Sequence, residues 1–124
     1  MQNLGQLIQT GDWKGEKHVP VIHLPRKVKK GKDTEIRVSI GDEVKHPNSL
    51  EHHIKWMKVF YFAEDGKFPI QLSSFEFTAH GESDVYTEPV GVTSVILDKP
   101  GVIYVQAYCN IHGLWENSIE IIVE

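Results

Sequence analysis

Valine and isoleucine supply 25 of the 124 residues, against three alanines. Branching at Cβ restricts rotamers in a helix and suits a pleated surface, so this bias confines the chain largely to strands. Ile36, Val38 and Ile40 alternate with Glu35, Arg37 and Ser39, the period of a half-buried strand. His53 to Phe62 opens with Ile54 and Trp56 against Lys55, then becomes mostly apolar. Leu72 to His80 sets Phe75, Phe77 and Ala79 on one face and Glu76 and Thr78 on the other. Val90 to Leu97 runs into Asp98-Lys99-Pro100-Gly101, whose Pro-Gly centre suits a type II turn, and Val102 to Cys109 returns. A hairpin is therefore expected there. Glu64-Asp65-Gly66 marks another turn, and Val19 to Leu24 and Ser118 to Val123 complete the strands. The pattern predicts an all-β fold, an antiparallel β-sandwich of about seven short strands. Leu4, Leu7 and Ile8 have helical spacing, but Gly11 leaves room for only a short N-terminal helical turn. With no repeat, linker or low-complexity tract, residues 1–124 read as one domain.

Charge and length exclude several function classes. A net charge of −4 argues against general binding to nucleic acid or an anionic membrane. The basic cluster from Arg26 to Lys32 reads as a solvated turn. No segment approaches the ~20 apolar residues that span a bilayer. Met1 to Trp13 lacks the basic and apolar regions of a secretion signal. Cys109 is the only cysteine, so neither an intrachain disulfide nor a four-thiolate metal site is expected. A reducing compartment, the cytoplasm, is the simplest expectation.

Seven histidines beside one cysteine is the unusual feature. Cys109-Asn110-Ile111-His112-Gly113 ends a predicted strand, and Cys and His three apart in a tight turn can face one metal. A buried inert thiol beside an incidental His is the competing reading. His46-Pro47-Asn48-Ser49-Leu50-Glu51-His52-His53 forms a loop with imidazoles at both ends. Adjacent His52 and His53 should point to opposite faces. His52 shares the parity of Ile54 and Trp56, so His52 is the expected ligand and His53 a supporting residue. Glu16-Lys17-His18-Val19-Pro20 offers a third imidazole, although taken alone it resembles an ordinary polar turn. His23 falls on the other face from His18, and His80 reads as a hydrogen-bonded structural residue. The collected donors are His18, His46, His52, His112 and Cys109. Five exceed a tetrahedral zinc site, and a nitrogen and sulfur set with one open position suits redox-active iron. Four neutral imidazoles and one thiolate leave Fe(II) with one net positive charge, attractive to a small anion.

These segments, with the Phe77 to Pro89 block and Cys109-Asn110-Ile111-His112-Gly113-Leu114-Trp115-Glu116, resemble superoxide reductase. The resemblance is to the one-iron type, also called neelaredoxin, and runs in order from about Gly11 to Asn117. It implies an immunoglobulin-like sandwich with one iron on an exposed rim. It also implies equatorial His18, His46, His52 and His112, with Cys109 axial. By the same resemblance Glu16 would be the sixth ligand of the ferric state, and Lys17 would lie near the open position. The implied reaction takes superoxide to hydrogen peroxide, with re-reduction by a small donor such as rubredoxin and assembly as a homotetramer. The four-cysteine domain of the two-iron relatives is not expected here. Two departures stand out: Lys45 where relatives often carry Pro, and a shorter stretch after His80-Gly81-Glu82-Ser83.

Lys17 would attract the anion and organise proton-delivering water. Strict alternation would turn it away from Glu16 and His18, so a mobile loop is expected there. Two rivals come from other classes. A blue-copper carrier could use His46, Cys109 and His112, but no Met follows His112, and His18 and His52 would be unexplained. A β-sandwich interaction module with incidental histidines would bind no stoichiometric metal.

Overall fold

The computed structural model describes residues 1–124 and forms two facing sheets. After a one-turn helix α1 (Leu4–Leu7) come β1 (Val21–His23), β2 (Lys27–Val28), β3 (Asp33–Ser39) and β4 (Ile54–Ala63). Then follow β5 (Ile70–Glu76), a 3-10 turn (Glu82–Asp84), β6 (Val90–Ile96), β7 (Gly101–Cys109) and β8 (Gly113–Val123). One sheet has the order β1-β3-β6 and the other β2-β8-β7-β4-β5. The all-β expectation holds. One buried cluster of 15 residues, including Ile36, Val38, Met57, Val59, Ile103, Val105 and Cys109, fills the space between the sheets. The alternation of β3 delivers it: Ile36 and Val38 are buried while Glu35 is exposed.

Several local expectations are corrected. The segments on either side of Pro100-Gly101 do not form a hairpin. β6 pairs with β3, whereas β7 is flanked by β4 and β8, so the chain crosses between sheets at this turn. Gly101 is absent from the left-handed region that a type II turn would require of it, and it begins β7 instead. A side chain there would collide with the Phe62 carbonyl, which explains the glycine by close approach. The sandwich is also not wholly antiparallel. Lys27 and Val28, inside the basic cluster, pair in parallel with Ile122 and Val123. α1 stops after one turn, with Ile8 extended and Leu4 and Leu7 exposed. A four-residue helix has no propagation to offset nucleation, and it buries nothing. β5 ends at Glu76, before Phe77 to His80.

The topology places the chemistry at one end. β7 runs through the middle of the larger sheet and delivers Cys109 to that end. The turn to β8 follows at once, with Cys109 opposite Gly113.

Candidate metal centre

The Cys109 turn is stabilised by its own backbone. Gly113 sits at φ +81, a left-handed conformation that costs any side chain about 1 kcal/mol or more. The turn brings the His112 backbone N–H to the Cys109 Sγ at 3.4 Å and the His112 Nδ1 to 3.9 Å from the same sulfur. Asn110 ties the turn to the His46–His53 loop. Its Oδ1 accepts from the His53 N–H at 2.9 Å, and its amide donates to the Glu51 carbonyl at 3.0 Å. The Asn48 amide donates to the Thr87 carbonyl at 3.1 Å and fixes the other end of the loop.

The loop presents His46 and His52. The His46 Nδ1–H donates to the Pro47 carbonyl at 2.6 Å, so its Nε2 is left facing the Cys109 sulfur at 3.6 Å. The His52 Nε2 is buried and has no hydrogen-bond partner. Such an orphan nitrogen is costly unless a ligand satisfies it. Burial pushes His46 down to about 4, opposed by the Pro47 carbonyl and reinforced by His18, His52 and Lys17. Burial also lowers His52, and the neighbouring His112, His18 and Lys17 reinforce the shift. Neutral imidazoles with free lone pairs are the form that binds metal.

His18 arrives from outside the strands. The Asn117 amide donates to the Pro20 carbonyl at 2.8 Å and pins this segment to β8. The Trp115 ring stacks on His18 at 4.7 Å with 12° between planes. The His18 Nδ1–H donates to Glu16 Oε1 at 2.7 Å, and the His18 backbone N–H reaches the same oxygen at 3.1 Å. The His18 side-chain bond holds the Glu16 carboxyl below its usual range. This partner leaves the His18 Nε2 facing the His112 Nδ1 at 3.1 Å. Two nitrogens each about 2.1 Å from one ion, at a right angle, would lie roughly 3 Å apart.

The donors of His18, His46, His52 and Cys109 all lie within 4.8 Å of one another, and His112 adjoins them through His18 and Cys109. Three imidazoles offer Nε2 and His112 offers Nδ1. Glu16 lies on His18, outside that donor group. Soft sulfur with the three imidazoles grouped around it suits a transition metal better than a hard cation.

The remaining histidines take other places. His53 is buried and stacked on His80, centroids 3.5 Å apart and planes 9° apart. The His53 Nδ1–H donates to the Ser49 carbonyl at 2.9 Å, and the His80 Nε2–H donates to Phe77 at 2.7 Å. His23 meets Asp42 at 2.9 Å. The parity argument for His52 does not survive. The β4 register is irregular between Ile54 and Trp56, so Ile54 and Met57 are buried while Trp56 turns outward. His52 faces the site because the loop places it there. Sequence reasoning also missed Asn110 and Trp115 as supports, although both lie beside the candidate ligands.

The family model described as desulfoferrodoxin matches residues 10–118. The superoxide reductase of Pyrococcus horikoshii is 48% identical over 95% of this chain and 98% of its own. The neelaredoxin of Megalodesulfovibrio gigas is 43% identical over 90% of this chain and 92% of its own. The reduced superoxide reductase (neelaredoxin) structure from Archaeoglobus fulgidus superposes with a TM-score of 0.86 at 44% identity. That alignment covers 94% of this chain and 98% of that one.

Proposed function

The chain belongs to the desulfoferrodoxin family, and from that premise we propose that residues 1–124 form one superoxide reductase domain. The reaction adds one electron and two protons to superoxide and releases hydrogen peroxide. The observation that carries this reading is the convergence of His18, His46, His52 and Cys109 on one point, with the His52 Nε2 buried and unpartnered. His18, His46, His52, His112 and Cys109 would hold one iron. Held there, an iron would supply the one-electron redox chemistry the reaction requires.

The surrounding side chains do the rest. Glu16 accepts the His18 Nδ1–H and so directs the Nε2 lone pair inward. The Pro47 carbonyl does the same for His46. The His112 N–H donates to the Cys109 sulfur and holds it toward the other donors. Trp115 limits rotation of the His18 ring. Lys17 has its charge close enough to depress both His46 and His52, which supports it as the local attractor for an anion. Its ammonium also supplies hydrogen bonds to water that protonates the departing peroxide. Glu16 as a ligand of the oxidised centre belongs to the same reading, and requires it to leave His18.

The cytoplasm suits a chain with one free, buried cysteine, and no helix is long and apolar enough to cross a membrane. A small donor such as rubredoxin re-reduces the centre, and exposed Ile111 beside His112 offers it an apolar contact at the rim. Assembly as a homotetramer is supported by the aromatic groove of Phe60, Phe62 and Tyr104 on the larger sheet.

Anaerobic reconstitution with iron quantification, followed by pulse radiolysis, tests the function. The expected result is one iron per chain and superoxide consumed without oxygen release. One copper and no iron would establish the carrier alternative. Lys17→Ala should lower the second-order rate about tenfold at low salt, with the gap narrowing as salt rises. An unchanged low-salt rate removes Lys17 from steering.

A further inference from the structure

We propose that Gln9 is a positioning residue of the metal centre, acting on His112 through its backbone carbonyl. The inference rests on the ligand reading above. Gln9 lies on the arm that follows α1, far in sequence from Cys109 and His112. Its backbone forms a single parallel bridge with Trp115. The Gln9 N–H donates to the Leu114 carbonyl at 3.1 Å, and the Glu116 N–H donates to the Gln9 carbonyl at 2.8 Å. The arm thereby covers the β8 edge at Leu114 to Glu116, at the opposite end from β2, which pairs only at Ile122 and Val123.

The bridge aims the Gln9 side chain at the turn. Its amide donates to the His112 carbonyl at 2.7 Å and reaches the Leu114 carbonyl at 3.4 Å. The Trp115 indole N–H donates to the same His112 carbonyl at 3.2 Å. Two donors therefore converge on the peptide that joins His112 to the left-handed Gly113. That peptide follows His112 directly, so its orientation helps set the backbone from which the His112 ring projects. Trp115 also stacks on His18, so one indole links the His112 carbonyl to the ring plane of a second ligand. Gln9 supplies the shorter of the two bonds to this carbonyl, and its loss leaves Trp115 as the one side chain holding it. Hydrogen bonds made directly to a ligating group change metal affinity by about ten- to a hundredfold, and a bond to the ligand's backbone belongs at the low end of that range.

The test uses the full chain loaded with Co(II) alone, whose visible bands report ligand field and thiolate bonding. Gln9→Met keeps length and the backbone bridge but removes the donor. Gln9→Lys restores a donor that can reach the same carbonyl. The expected result is about tenfold weaker Co(II) binding and shifted bands in Gln9→Met. The metal-free unfolding temperature should stay close to the parent's, and Gln9→Lys should recover most of the affinity. Parent-like affinity and bands in Gln9→Met would overturn the inference alone. So would equal weakening in both variants with a lowered metal-free unfolding temperature, the mark of a purely structural arm. A parent chain that binds no Co(II) with a thiolate band would overturn the ligand reading, and this inference with it.

Discussion

Cys109→Ser should abolish the thiolate charge-transfer absorption of the reconstituted protein and slow superoxide reduction at least about a hundredfold. That corresponds to roughly 3 kcal/mol of lost transition-state stabilisation. The sulfur is fully buried, receives the His112 N–H, and faces the His46 Nε2 and His112 Nδ1. Serine preserves the shape and a hydrogen-bond acceptor, so the turn should still form. What it removes is the soft, charge-donating ligand that sets the electronic character of the centre. Pulse radiolysis with the optical spectrum and iron content checks this. A variant with full iron and a parent-like rate would exclude Cys109 from the ligand set.

The largest stability effect is expected at Ile103. It is fully buried in β7, opposite Tyr61 on one side and Ile119 on the other. Ile103→Ala removes three methyl or methylene groups from a space that two hydrogen-bonded neighbours keep from collapsing. The cost should be about 3–4 kcal/mol, a large share of the roughly 5–15 kcal/mol that holds such a domain together. Ile122, about half exposed on β8, provides the contrast. Ile122→Ala should change stability by less than about 1 kcal/mol. Urea titrations of the metal-free chain measure both. Equal effects would mean that the space between the sheets is not the principal core.

How much of this could be read from the residues depends on the range of the interaction involved. Alternation reports burial directly, and β3 follows it from Glu35 to Val38, whereas Ser39, on the polar parity, is buried with its hydroxyl donating to Asp42. Glu64-Asp65-Gly66 carries its own turn signal, and the Gly66 N–H closes on the Ala63 carbonyl at 2.8 Å. The partner of a strand is not local information. Pro100-Gly101 marks a turn, but nothing nearby says that β3 takes one segment and β4 and β8 take the other. Lys27 and Val28 are too short to show a period, and only their pairing with Ile122 and Val123 makes them a strand. The candidate ligands were legible because Cys and His are scarce and chemically distinctive. His52 was reached by a faulty route: parity fails at an irregular register that no pattern in Ile54-Lys55-Trp56 announces. Gln9 was invisible for the opposite reason. It is a common polar residue whose importance comes entirely from the carbonyl it meets.

The lysines around β2 change meaning once their position is known. Arg26, Lys27, Lys29, Lys30 and Lys32 hold five of the 13 Lys and Arg, with Glu124 among them at 3.9 Å from Lys27. They sit beside Ile122 and Val123, and the Cys109 turn opens onto the other end of β8. At about 3.3 Å per residue, the 11-residue strand separates the two regions by roughly 35 Å. The densest basic patch of the chain thus lies away from its chemistry. A diffusing anion in very dilute buffer feels that patch as a decoy. At physiological ionic strength, where fields fade over about 8 Å, the decoy disappears and only the charge beside the centre still guides capture.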